Sequence, residues 1–163
     1  MVAARNDSPP TAEGLLLERF LPYRLNMLGT TVSQSFARLC ARRFNIALPE
    51  WRVVALLGQR GRLTSKAIGT RCAMHKTMVS RAVGELERRR LVEREANPAD
   101  KREVFVALSA AGEAIYAEII PLASAYSERL TAGLSDEDRA VLDRLIRQLH
   151  DRARQIAPPD PQA

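Results

Sequence analysis

Aromatic residues are scarce in this chain, and so are the residue types that build most reaction centres. Phe, Trp and Tyr make up 5% of its 163 residues. There are two cysteines, Cys40 and Cys72, and two histidines, His75 and His150. The cysteines lack CxxC spacing, and the histidines lie far apart with no Cys/Asp cluster beside them. Neither a disulfide framework nor a metal site is expected. No apolar run approaches the roughly 20 residues that cross a bilayer, so no membrane contact is expected. Residues 1–14 (MVAARNDSPPTAEG) lack the apolar centre of a secretion signal. Together with the two isolated cysteines, this predicts a reducing, cytoplasmic setting. Gly-rich phosphate loops, metal motifs and nucleophile–base–orienter sets are missing too. An enzyme is therefore not expected, and no cofactor is assigned.

Acidic residues are also short in one place. From Arg60 to Arg102 there are 12 Lys and Arg against five Asp and Glu, a net charge of +7. The whole chain carries +6, so the remainder is slightly acidic. Phosphate binding needs such a local patch rather than a high average. A solvated basic face would give the same count, so the pattern beneath the charge must decide.

Hydrophobic content of 46% suffices for one core. Residues 1–14 read as a flexible tail. From about Leu15 to Phe44, Leu17, Phe20, Leu21, Leu25, Leu28, Val32 and Phe36 recur at helical steps, with Pro22 bending or restarting the helix near its beginning. A second helix opens at Pro49, and Gly58 and Gly61 are expected to end it. Thr64-Ser65 cap a short third helix to about Arg71. A fourth runs from near His75 to Arg90, with Val79, Val83 and Leu86 inward and Lys76, Thr77, Ser80, Arg81 and Arg88 outward. Two strands follow, Leu91 to Glu95 and Glu103 to Leu108, around the tip NPADKR. Ser109 caps a fifth helix kinked at Pro121. Ser135 starts a sixth with the apolar stripe Val141, Leu142, Leu145, Ile146 and Leu149.

The prediction is a mainly α fold with a small β-hairpin wing, a winged helix-turn-helix. Residues 49–108 form its DNA-binding lobe, and 15–48 and 109–154 form a helical dimerisation region. Residues 155–163 read as a disordered tail. A first helix of this length outruns the lobe, so part of it must pack on a second subunit, and an obligate dimer is expected.

A helix fits the major groove of duplex DNA, and residues near its N-terminus reach base edges. Lys76, Thr77, Ser80 and Arg81 are the candidates. Thr64, Ser65 and Lys66 open the preceding helix and suit a phosphate, although plain capping accounts for the two hydroxyls equally well. At the wing tip, Arg102 is the candidate for the minor groove, with Lys101 beside it and Asp100 paired to direct it. An ordinary polar turn is the plainer reading.

The run VSRAVGELERRRLVER, followed by NPADKRE and LSAAG, resembles the MarR family of dimeric transcriptional regulators. The resemblance covers roughly Leu15 to Arg154. It implies a homodimer joined by the first, fifth and sixth helices. It also implies recognition helices in successive major grooves of a pseudo-palindromic operator, and repression as the default outcome. Asp100 matches the family's wing Asp, and Asn97 replaces the Asp often found before the wing Pro. Members often bind aromatic or amphipathic ligands between the dimer helices and the DNA-binding lobe. FLPYRLNMLGTTVSQ and LPEWRVVALLG are similar to regulators of aromatic-acid catabolism. The resemblance thus implies an aromatic carboxylic acid or aromatic acyl-CoA effector, with Tyr23, Arg24, Trp51, Arg52 and His75 as candidate contacts. Plain core roles for Trp51 and Tyr23, solvated roles for the two arginines, and capping by His75 stand beside that reading. Two alternatives remain: a redox-responsive regulator using Cys40 or Cys72, and a protein-interaction module whose basic helix meets an acidic partner.

Overall fold

Proline opens the first long helix, and a left-handed asparagine closes it. The computed structural model describes residues 15–96 and 104–156. A short 3-10 turn, Leu17–Arg19, precedes α1, Leu21–Phe44. Pro22 falls in the first turn of α1, where its missing N–H has no partner to lose. The interruption expected from Pro22 is thus a restart at Leu21. Asn45 ends α1 at φ 53°.

α2 spans Leu48–Arg60, and the Glu50 carboxylate accepts a hydrogen bond from the Ala47 N–H at 2.9 Å. Gly58 does not end this helix, contrary to the sequence expectation. It lies inside α2, and a Cβ there would run into the Tyr116 ring. The stop is Gly61, at φ 72° and ψ −149°, a conformation that side chains rarely adopt.

β1 (Leu63–Thr64), α3 (Ser65–Cys72) and α4 (Lys76–Arg88) follow, then β2 (Val92–Ala96) and β3 (Val104–Leu108). The strands form an antiparallel sheet in the order β1-β3-β2. Val92 lies opposite Leu108 and Ala96 opposite Val104, while Leu63 lies opposite Val106. The sequence reading had a two-stranded hairpin; β1 adds a third strand, which ties the start of α3 to the wing.

The core sits where α2, α3, α4 and the sheet meet. Val53, Val54, Leu57, Ile68, Val79, Val83, Leu86 and Val106 are each no more than 1% exposed. Full burial of such side chains contributes about 1.5–3 kcal/mol each. Cys40 and Ile46 join from the end of α1 and the turn after it, and Ile119 from α5 (Ala110–Leu130).

Ser109 is the buried polar residue of this core. Its Oγ donates to the Arg90 carbonyl at 2.6 Å and accepts from the Gly112 N–H at 3.1 Å. Its own N–H donates to the Leu91 carbonyl at 3.1 Å. One residue thereby caps α5 and closes the base of the wing. A Cβ on Gly112 would overlap the same Leu91 carbonyl. α5 then runs through Pro121 to Leu130.

α6, Asp136–Ile156, begins with Ser135 Oγ accepting from the Asp138 N–H at 3.1 Å and donating to its carboxylate at 2.7 Å. No residue of α6 is buried. Its stripe is open to water, as are Leu21, Leu25 and Leu28 on α1. These helices carry apolar faces that a single chain leaves uncovered. Among the described residues, no helix is long and apolar enough to cross a membrane.

Candidate nucleic-acid interface and ligand cleft

α4 divides cleanly by side. Val79, Ala82, Val83 and Leu86 are buried, whereas Lys76, Thr77, Ser80 and Arg81 are exposed. Residues three and four apart share a helix face, so these positions fall into two opposed stripes. The side chains of the exposed stripe make no hydrogen bond or ion pair among the described residues. Its acidic neighbours are already engaged. Arg88 Nε donates to Glu85 at 2.9 Å, and that hydrogen bond holds the Glu85 carboxyl below its ordinary range. Arg94 Nε donates to Glu87 at 2.9 Å. The stripe therefore keeps a positive field.

The turn before α4 is tight. Ala73 adopts φ 50°, and the Met74 N–H donates to the Gly69 carbonyl at 2.9 Å. His75 occupies the N-cap of α4, but its side chain makes no capping hydrogen bond and is exposed. Capping by the His75 side chain is thus set aside. Thr64 is the N-cap of α3, its Oγ1 accepting from the Ala67 N–H at 3.2 Å. The plain capping role expected for Thr64 is present, and its hydroxyl proton remains available to donate. Ser65 and Lys66 are exposed beside it. Seven of the sequence-predicted DNA contacts thus gather at two consecutive helix starts. Asp100, Lys101 and Arg102 lie outside the described residues, as do the two tails.

Two structural arginines escaped the sequence reading. Arg89, at the end of α4, donates to the Asn45 carbonyl at 2.6 Å and to the Phe44 carbonyl at 2.8 Å. A cation there satisfies carbonyls that the end of α1 leaves open. Arg62 pairs with Glu95 at 3.2 Å and lies 5.1 Å from the Phe105 ring centre, bracing the wing from β1's side.

A cleft of about 520 Å³ opens between α2 and α5, its walls including Trp51, Arg52, Arg71, Cys72, Tyr116 and Ile120. Trp51 is half-buried and meets Phe36 edge-on, with ring centres 4.8 Å apart. It therefore serves the core with one side and the cleft with the other. Of the predicted ligand contacts, Trp51 and Arg52 line this cleft. Tyr23 and Arg24 sit exposed at the start of α1, and neither they nor His75 line it. α1 instead borders a second hollow of about 380 Å³, on the other side of Arg52, through Leu25, Asn26 and Gly29. Arg71, Cys72 and Tyr116 were not expected as walls, because α3 and α5 reach the cleft only through the tertiary fold.

Both thiols are pushed above the ordinary cysteine range by burial, with the nearby Arg52 guanidinium partly offsetting this at Cys72. Cys72 also points its Sγ at the Arg52 carbonyl, 3.7 Å away. Burial thus works against the thiolate form that redox sensing uses.

Residues 44–103 match the family model described as MarR family. The chain is 30% identical over 105 residues to the transcriptional regulator HosA of Escherichia coli O111:H-, covering 64% of this chain and 78% of that protein. A MarR/EmrR family regulator from Acinetobacter sp. ADP1 has a similar structure, with TM-score 0.79 and 22% identity over 87% of this chain and all of that one. BpsR of Bordetella bronchiseptica, whose DNA binding is described as regulated by 6-hydroxynicotinic acid, gives TM-score 0.66 at 21% identity, covering 78% of this chain and 98% of that one.

Proposed function

Because this chain belongs to the MarR family of DNA-binding transcriptional regulators, we propose that two copies of it repress transcription from a pseudo-palindromic operator until a small aromatic acid, free or as its CoA thioester, releases them. The observation that carries the DNA half is the exposed stripe of Lys76, Thr77, Ser80 and Arg81, unpaired among the described residues, on a helix sealed on its other side. In this reading Arg81 bonds a guanine edge, a contact worth about 1–3 kcal/mol of discrimination. Thr64, Ser65 and Lys66 hold phosphate and fix the register. Arg102 reaches the minor groove. The uncovered apolar faces of α1 and α6 support the homodimer.

The effector half draws on the cleft behind the reading lobe. Trp51 and Tyr116 give it flat apolar walls, and Arg52 and Arg71 give it forks for a carboxylate. BpsR, regulated by an aromatic acid, offers a parallel at the level of fold.

Duplexes selected from a random pool should share two half-sites about one helical turn apart, and log affinity should fall steeply with log salt. Arg81→Ala should relax base preference, whereas Lys66→Ala should weaken all sequences alike and reduce the salt slope by about one. A folded chain that selects no common sequence would overturn the operator reading. Calorimetric titration with aromatic carboxylates and their CoA thioesters checks the effector, and silence with both classes removes it.

A further inference from the structure

A second cleft is larger than the aromatic one. A hollow of about 910 Å³ lies between the end of α2, the start of α3 and the last turns of α6. Arg60, Lys66, Arg71, His150 and Arg154 line it, with Thr64 at its edge, and no carboxylate is among its lining residues.

The charged part of that lining is all of one sign. Arg43, Arg62, Arg88, Arg94 and Arg147 each sit against a Glu or Asp. None of the cleft cations does so among the described residues. Four full positive charges converging on one hollow repel one another, and an anion seated between them removes that repulsion. The hollow also receives the N-terminal end of α3. There, Thr64 Oγ1 already satisfies the Ala67 N–H, which leaves the hydroxyl proton of Thr64 free to donate. Guanidinium forks, an ammonium and a hydroxyl form a donor set suited to phosphate oxygens. Two of the lining residues, His150 and Arg154, come from α6.

We propose that this cleft is a phosphate-binding site that joins the end of α6 to the start of α3. Its occupant carries a phosphate ester, supplied either by the DNA backbone or by a free phosphorylated molecule. In either case the site connects the terminal helices to a helix that frames DNA recognition. The site itself does not rest on the operator reading; only the choice between the two sources does.

The probe is pyrophosphate, titrated calorimetrically into the full-length chain without DNA. Saturable binding near one per chain is expected. R154Q should weaken it by about tenfold, the usual result of removing one charged donor. R152Q removes an equal charge from α6 outside the cleft and should leave the affinity unchanged. Circular dichroism of both variants checks that they fold as the parent does. The second arm measures DNA affinity against salt for the same variants. A slope reduced by about one in R154Q alone assigns the phosphate to the DNA backbone. An unchanged slope, with pyrophosphate weakening DNA binding by the parent but not by R154Q, assigns it to a free ligand. No saturable pyrophosphate binding, or equal loss in R152Q and R154Q, overturns the site. A chain that binds pyrophosphate as expected but no DNA refutes the operator reading and leaves the site standing.

Discussion

From Ile46 to Val106 most large apolar side chains are shut away from water within one chain, whereas α6 keeps none of its own covered. Both regions have the same kind of apolar periodicity. They differ in what lies opposite. The lobe folds α2, α3, α4 and the sheet onto one another, so each stripe meets another stripe. The stripe of α6 and the first half of α1, with Leu21, Leu25 and Leu28, lie open to water in the single chain. Amphipathicity therefore says that a helix will be covered, and not by which molecule.

The comparison breaks most visibly in α6. Changing Leu142 and Leu145 together to Glu should abolish association while leaving the lobe folded. Sedimentation velocity should then show one chain, and operator affinity should fall by about a hundredfold or more as the two half-sites lose their linkage. A dimer that survives both charges would show that α6 is covered by something other than its counterpart.

The lobe should fail differently, by losing its own stability. Gly112→Ala places a methyl group against the Leu91 carbonyl. The expected loss is about 3 kcal/mol in chemical denaturation, the upper range for overpacking. A smaller loss would mean that the start of α5 can shift without disturbing the wing.

The junction between the two regions gives an intermediate effect. Arg89→Met keeps the bulk of the side chain and removes its hydrogen bonds to the Phe44 and Asn45 carbonyls. A loss of about 1.5 kcal/mol is expected. Amide exchange should quicken at the end of α1 while the centre of α4 stays protected.

The smallest change is a gain. Ala73 holds φ 50° in the turn before α4, where a Cβ is unfavourable. Ala73→Gly should raise stability by less than about 1 kcal/mol, because glycine's added freedom in the unfolded chain offsets part of the relief. Thermal denaturation reads it directly.

Local chemistry was legible in the sequence, and distant contact was not. Thr64, Ser109 and Ser135 each bond to a backbone N–H three residues ahead, a distance that sequence reading covers. The inward stripe of α4 needed only the helical period. Gly58 was misread because its reason lies across the fold at Tyr116. β1 was missed because two residues show no period, and its pairing partner is Phe105 to Val106. Arg89 drew no reading of its own, because its two carbonyl partners lie at the end of another helix. In the candidate site, the candidate DNA contacts from Thr64 to Arg81 lie within one short stretch and could be read together. The cleft draws on α2, α3 and α5, so only Trp51 and Arg52 of its walls were found in advance.

Ser109 has a further consequence, for how such a chain can change over generations. It pins the return of the wing to its departure at Arg90 and Leu91, so the hairpin is a closed excursion anchored at its root. A segment whose ends are fixed together does not transmit alterations at its far end to the body beneath. Doubling the length of such a loop costs only about 0.6 kcal/mol in closure entropy. The span between Ala96 and Val104 is thus a place where insertion, deletion or exchange should leave the stability of the lobe unchanged. The heritable freedom of the tip depends on the fixity of one serine at the base.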